Sequence, residues 1–143
     1  MTSTVSAPPA QQEIFGLVRG FVEAWAAGDA DGLVRAYSED ATVVLPGGTY
    51  LKGREAIRAA MTAQFQGKWK GTNVLGVPQE VRPVGTDVVL MYSQGGAYRP
   101  GSTEVAEQDA ITALWVFAKG EAGWSVVAYE NTPLGRPVPL PKG

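Results

Sequence analysis

The sequence predicts an α+β fold in which N-terminal helices cover one face of a curved, mostly antiparallel sheet. Up to Gly67, apolar residues recur at the three- and four-residue spacing of helices with one buried stripe. From Lys68 onward the apolar period becomes that of extended strands, and glycines and prolines separate the runs. Helices followed by a run of strands are typical of α+β domains, and 143 residues suffice for one such domain.

Three helices are predicted in the first half of the chain. The first ends at Gly28, and the second is short and begins at Asp29 or Asp31, whose carboxylate can accept bonds from the free amides of a first turn. The third covers residues 54–66 and ends at Gly67. The buried stripe of the first helix consists of Ile14, Leu17, Val18, Phe21, Val22 and Trp25. The second helix is expected to bury Leu33, Val34 and Tyr37.

A short strand over residues 41–45 precedes the third helix, and four longer strands follow it. The longer strands are expected over residues 69–77, 80–94 with a break near Gly85, 104–117 and 124–131. Connections are predicted at Gly95-Gly96, at Pro100-Gly101 and over residues 119–123. The expected organisation is a flexible segment over residues 1–11, a single domain over 12–132, and a proline-rich extended tail over 133–143.

Composition narrows the possible chemistry. The chain has no cysteine and no histidine, which excludes thiolate chemistry and leaves a carboxyl, Tyr or Lys for acid–base work. A net charge of −2 argues against a nucleic-acid partner. There is no apolar run long enough for a membrane span, no secretory signal, no glycine-rich dinucleotide fingerprint and no metal constellation. We therefore expect a cytoplasmic protein with no metal, no cofactor, and no membrane or nucleic-acid partner.

Two strands are apolar on both faces, which predicts a second covered surface. Residues 88–92 form a continuous apolar run, as do residues 110–118 apart from Thr112. Because helices can cover only one face of the sheet, the outer face would expose an apolar patch that monomers rarely tolerate. The patch is expected to consist of Val89, Met91, Leu114 and Val116. We expect a homodimer joined through this outer sheet face.

The order of the predicted elements resembles the cone-shaped fold shared by nuclear transport factor two, SnoaL-type polyketide cyclases and ketosteroid isomerases. The resemblance covers about residues 12–132 and implies a cone-shaped barrel that encloses a ligand-binding pocket. The matching segments are residues 21–25, 27–33, 40–43, 53–58, 123–127 and 131–132.

Within this superfamily, the sequence is most similar to the SgcJ/EcaC-type proteins of enediyne and other polyketide antibiotic clusters. The similarity rests on residues 25–29, 51–57 and 130–132. It implies a role in antibiotic biosynthesis, with a hydrophobic small molecule as the partner.

The ketosteroid isomerase mechanism needs a carboxylate base, a Tyr and a protonated carboxylic acid in an apolar cavity. When the matching segments are compared, the resemblance implies that Leu45 occupies the position of the base, Phe21 that of the Tyr and Ala113 that of the acid. None of these side chains transfers a proton, so the resemblance implies the cavity without that chemistry. Dehydratases of this fold that rely on His are excluded by composition.

Strand alternation, in the register that the resemblance suggests, predicts which side chains face the cavity. The inward sets are Leu90, Tyr92 and Gln94; Asp109, Ile111, Ala113, Trp115 and Phe117; and Ala128, Glu130 and Thr132. The candidate ligand-binding residues are Phe21, Trp25, Leu45, Met61, Gln94, Asp109 and Trp115. Together they predict an aromatic, largely apolar chamber with few polar groups, which is the usual composition of a small-molecule site.

Glu130 and Tyr92 are the candidate catalytic residues, because an apolar chamber would favour the neutral form of a carboxyl and let it act as an acid or base. The alternative is that Glu130 lies at the sheet rim and pairs with Arg54, Arg99 or solvent. Asp109 has a similar alternative as an exposed charge at a strand end. Trp25 and Trp115 also fit plain core packing.

Two functions stay open at this point. One is an isomerase-, cyclase- or dehydratase-like enzyme, or an accessory protein, that acts on a hydrophobic polyketide intermediate. The other is a non-catalytic binder or dimeric adaptor that shelters such a molecule. Loss of the isomerase residues favours the binder, whereas the polar groups expected inside the chamber favour the enzyme.

Overall fold

The structure, a computed structural model, describes residues 9–141 and begins with a helical layer. The helices are α1 (Pro9–Ala27), α2 (Ala30–Val34) and α3 (Arg54–Gln66). The strands are β1 (Tyr37–Leu45), β2 (Thr49–Lys52), β3 (Asn73–Val84), β4 (Val88–Tyr98), β5 (Glu104–Val105), β6 (Ala110–Gly120), β7 (Gly123–Pro133) and β8 (Val138–Pro139).

The first two helices end and begin at the glycine stop and the aspartate cap that the sequence predicts. Gly28 follows α1 with φ of +66°, a conformation that glycine adopts without steric cost. Asp29 caps α2, where its Oδ1 accepts a bond from the Gly32 amide at 2.9 Å. Tyr37 does not extend α2 as expected. It begins β1, because the carbonyl of Ala36 already accepts a bond from Val126 of the sheet.

Six strands form one curved sheet in the order β2-β1-β7-β6-β4-β3. All neighbouring pairs are antiparallel except β1 and β7, which are parallel. The main core lies between this sheet and the helices, with Ile14, Phe117 and Val126 fully buried. The α+β prediction, with helices packed on a curved and mostly antiparallel sheet, is confirmed.

Two predicted features of the strands are wrong. Gly95 and Gly96 form no connection and lie inside β4, where a Cβ on Gly95 would collide with the backbone carbonyl of Leu75. The strand expected over residues 104–117 is divided by a turn, in which the Asp109 amide donates to the Ala106 carbonyl at 2.9 Å.

The predicted N-terminal segment is described only from residue 9, whereas the predicted C-terminal tail is described up to residue 141. Residues 9–11 belong to α1, and the rest of the predicted flexible segment lies outside the described residues. The tail is extended up to residue 141, and its Val138 is buried in a second small core with Val105 and Ala110. Arg136 Nη2 also donates to Gln94 Oε1 at 3.2 Å, which ties the tail to β4.

Candidate functional site

The concave face of the sheet, which faces the helices, carries side chains in cross-strand rows. One row is made of Val43, Tyr129, Trp115, Met91 and Val81. The next row towards one end of the sheet is made of Asn131, Ala113, Ser93 and Pro78, and we call it the small-residue row. The first row carries the large rings of Trp115 and Tyr129, whereas the second carries the small, buried side chains of Ala113 and Ser93.

Aromatic rings fill the space above the first row. The ring centroid of Trp115 lies 5.3 Å from that of Phe21 and 4.7 Å from that of Tyr129. Trp25 is 6.1 Å from Phe21 and 5.3 Å from Phe65. A chamber walled by Phe21, Trp25 and Trp115 was expected between these rings, but Phe21 packs edge to face on Trp115 and at a tilt on Trp25, so that part of the prediction is wrong.

Polar atoms gather at the small-residue row. Asn131 Nδ2 donates to the Tyr129 hydroxyl at 3.0 Å, while Asn131 Oδ1 is buried and has no hydrogen-bond partner. Trp115 Nε1 donates to Ser93 Oγ at 3.1 Å, so Ser93 is already engaged. A buried amide oxygen without a donor costs free energy, so this atom is a polar group that the fold leaves unsatisfied.

Two buried phenols, those of Tyr129 and Tyr37, stay protonated at neutral pH. Burial raises the pKa of Tyr129 to about 12, although the bond from Asn131 opposes the change. Burial and the neighbouring Tyr129 phenol raise the pKa of Tyr37 well above its ordinary value. Both groups are therefore neutral hydroxyls that can donate or accept a hydrogen bond.

Both candidate catalytic residues point away from the concave face, so their predicted placement in the chamber is wrong. Tyr92 is 47% exposed and pairs with Leu114, while the inward position of β4 next to it is taken by Met91 opposite Trp115. Glu130 is exposed and also lies opposite Leu114, on the outer face.

The prediction of which β7 side chains face inward is wrong because of a local bulge. The pairing with β6 shifts by one residue between Val126 and Ala128, which leaves Val127 as a bulge. Because one extra residue reverses the alternation, Tyr129 and Asn131 face inward in place of Ala128, Glu130 and Thr132.

The remaining predicted residues lie in three locations. Leu45, Met61 and Trp25 are half-buried and pack against the main core. Gln94 lies on the outer face and is held by Arg136. Asp109 lines a separate cleft of about 200 Å³ with Trp69, Thr72, Tyr98, Arg99 and Glu104.

Sequence reasoning missed Tyr37, Ser93, Tyr129 and Asn131. A signal for the last two was present, since unbroken alternation through β7 would have set the charged Glu130 among apolar neighbours. For Ser93 there was no signal, because both alternate sets of β4 are similarly apolar.

The concave rows carry no Asp, Glu, Lys or Arg among the residues that the structure describes. Over the same part of the chain, no group of His, Cys, Asp and Glu side chains could hold a metal ion. Within residues 9–141, no helix is long and apolar enough to cross a membrane. The site therefore offers hydrogen bonds and apolar contact to a neutral molecule, without a charged acid or base.

Fold and site together define a cone-shaped α+β protein with an apolar concave face and a few polar groups in its small-residue row. The SnoaL-like domain family matches residues 18–128, and the chain belongs to that family. No curated protein matches the chain.

Solved structures share this architecture. A domain of unknown function with a cystatin-like fold from Nostoc punctiforme is 30% identical, with a TM-score of 0.81 over 90% of this chain and 79% of its own. An NTF2-like protein with a cystatin-like fold from Novosphingobium aromaticivorans is 25% identical, with a TM-score of 0.75 over 87% of this chain and 82% of its own. A ketosteroid isomerase-like protein from Erwinia carotovora atroseptica is 15% identical, with a TM-score of 0.69 over 90% of this chain and 98% of its own, and shows the fold alone.

Proposed function

We propose that this protein binds a neutral, largely apolar small molecule above the small-residue row and does not transform it chemically. The observation that carries this proposal is the buried Oδ1 of Asn131, which has no partner in an otherwise apolar face. Half-buried Leu45 and Met61 pack against the same core and supply further apolar surface.

Binding is favoured over catalysis because the proton-transferring groups are in the wrong location. Glu130 and Tyr92 lie on the outer face, and the phenols of Tyr37 and Tyr129 hold their protons. A general base needs a pKa near the working pH, and no such group faces the small-residue row within residues 9–141. A sheltering role in secondary metabolism, with a polyketide intermediate as cargo, fits the resemblance to SgcJ/EcaC-type proteins and forms the finer part of our proposal.

The neutral fluorophore N-phenyl-1-naphthylamine tests the binding site, because its emission rises when it enters an apolar environment. We expect saturable enhancement with the wild-type protein. The Ala113→Leu variant should weaken binding at least about tenfold, since Ala113 lies between Asn131 and Ser93 in the small-residue row and the added side chain would stand between them. Fluorescence titration gives both affinities.

Ala118→Leu is the matched control, because it adds the same side chain to the same strand on the outer face, opposite Val88. Circular dichroism and thermal unfolding check that both variants fold. Absence of saturable binding to the wild type, or equal binding by Ala113→Leu, would contradict the proposed site.

We also propose that two copies join through the outer sheet face. Leu90, Tyr92, Leu114 and Val116 lie there, in neighbouring rows across β4 and β6. Val89 and Met91, which were expected in this patch, are core residues instead. Lys52 on β2 lies at one edge of the face, whereas Glu80 on β3, at the other edge, is ion-paired with Arg82 at 3.8 Å. A two-fold axis along the strands would bring each edge over the opposite edge of the partner.

Leu114→Glu should convert the dimer to a monomer, because it sets a second negative charge directly opposite Glu130 at the centre of the interface. Light scattering after size-exclusion chromatography at about 10 µM reports the mass. Val84→Arg, at the exposed end of edge strand β3, should leave the dimer intact. A wild-type protein that elutes as a monomer would refute the interface.

A further inference from the structure

We infer that the cleft lined by Asp109 is a second binding site, and that it takes a small zwitterion of the size of a free aliphatic amino acid. The ligand's ammonium group would lie towards Asp109 and Glu104, and its carboxylate towards Arg99. None of the residues that line this cleft belongs to the small-residue row or to the row beside it. The inference therefore goes beyond the binding function proposed above and does not depend on it.

The cleft offers space for a molecule of this size. It has a volume of about 200 Å³ and lies between the segment after α3, the end of β4 and the residues that connect β4 to β6. At roughly 30 Å³ for each molecule of liquid water, this volume corresponds to about six or seven waters. Sites for drug-sized ligands begin at roughly 300 Å³, so this cleft is suited to a smaller molecule.

Hydrogen bonds hold two of the three walls in place. The guanidinium of Arg99, at the end of β4, donates to the main-chain carbonyls of Lys70 at 3.0 Å and Lys68 at 3.3 Å. In the segment after α3, the buried hydroxyl of Thr72 accepts a bond from the Trp25 indole at 2.9 Å. Because these groups are fixed before a ligand enters, binding would cost little further ordering of the protein.

The cleft has unpaired charges of both signs. In the described part of the chain, the carboxylates of Glu104 and Asp109 accept no hydrogen bond and join no ion pair. Arg99 bonds only to main-chain carbonyls, which leave its positive charge without a counter-ion, and a guanidinium has further N–H groups to donate. Charged groups of both kinds are therefore available to a ligand.

This arrangement favours a zwitterion over a simple ion. A ligand with only a positive charge would meet Arg99 and also the ammonium of Lys68, which lies 4.5 Å from the centroid of the Trp69 ring. A ligand with only a negative charge would meet Glu104 and Asp109. Like charges in close proximity oppose binding, whereas a zwitterion can place each of its charges beside the opposite charge of the protein.

Apolar surface in the same cleft favours an aliphatic side chain on the ligand. Trp69 and Tyr98 are half-buried, Ala97 is buried, and all three line the cleft. Removal of a small aliphatic group from water against this surface would add to the affinity.

Three probes that share an isobutyl group test the inference by NMR titration of nitrogen-15-labelled protein at pH 7. L-Leucine carries both charges, 3-methylbutan-1-amine lacks the carboxylate, and 4-methylpentanoate lacks the ammonium group. We expect leucine to give saturable shifts of the Trp69 indole N–H and of the Arg99 and Asp109 amides. Each of the other probes should bind at least about tenfold more weakly, because each loses one charged contact.

The double variant Glu104→Gln/Asp109→Asn should weaken the binding of leucine at least about tenfold. Its binding of 4-methylpentanoate should be kept or strengthened, because two negative charges are removed, and this second result separates loss of a contact from loss of the fold. Glu107→Gln is the matched control, since Glu107 is an exposed carboxylate of the same connecting segment that does not line the cleft. This control should bind leucine as the wild type does.

Absence of saturable shifts with leucine at the cleft would overturn the inference. So would equal affinity of the wild type for all three probes, tighter binding of the amine than of leucine, or unchanged binding of leucine by the double variant. The comparison of probes on the wild type decides the matter even if the double variant does not fold. None of these outcomes affects the proposed function, which is tested with a different probe and at a different place.

Discussion

Replacement of Gly95 by alanine is expected to lower the free energy of unfolding by about 3 kcal/mol or more, the upper range for overpacking. A Cβ at this position would overlap the carbonyl of Leu75 on the paired strand β3. Since backbone atoms of a sheet cannot rotate away, β3 and β4 would have to separate locally. Urea unfolding followed by circular dichroism measures the change.

Gly76 provides the control for this substitution, because it pairs directly with Gly95 in the β3–β4 ladder and a Cβ there would meet no atom within 4 Å. Gly76→Ala should therefore change the free energy of unfolding by no more than about 0.5 kcal/mol. Equal effects of the two variants would show that Gly95 is not needed for a close approach of the strands.

Truncation of Phe117 to alanine is expected to cost about 4 kcal/mol, the usual range for removal of a buried aromatic ring. Phe117 is 0% exposed and its ring stacks parallel to that of Trp115, with centroids 6.0 Å apart. Its loss would leave a cavity beneath the row that carries Tyr129 and Trp115. Thermal unfolding should show a Tm lower by about 10 °C.

Val84→Ala, at an exposed position on the edge strand, is the control for this substitution. Its free energy of unfolding should be within about 0.5 kcal/mol of the wild-type value. A stable Phe117→Ala protein would mean that the core collapses around the missing ring, contrary to the close packing of rings seen here.

Local patterns in the sequence were sufficient to predict the helices. The apolar stripe of α1, its glycine stop and the Asp29 cap are all short-range signals, and each corresponds to a feature of the structure. Strand β2 was not predicted, because it has four residues and only Leu51 among them is half-buried. A run that short has no period to detect.

The candidate site was predicted less well than the fold. Phe21, Trp25 and Trp115 do come together, but they pack against one another. Asn131, with its unsatisfied amide oxygen, and Tyr129, with its raised pKa, follow the bulge at Val127, which strict alternation along β7 did not predict.

By itself the sequence determined the α+β class, the order of helices before sheet, and the absence of cysteine and histidine chemistry, since each follows from residue type and local periodicity. Only the tertiary structure decided which faces of β4 and β7 turn inward. Met91 pairs with Trp115, and the bulge at Val127 arises where β7 pairs with β6. Both depend on pairing between segments that are distant in sequence. Because a shift of one residue moves every side chain of a strand to the other face, these contacts turned Glu130 and Tyr92 outward and set Asn131 in the site.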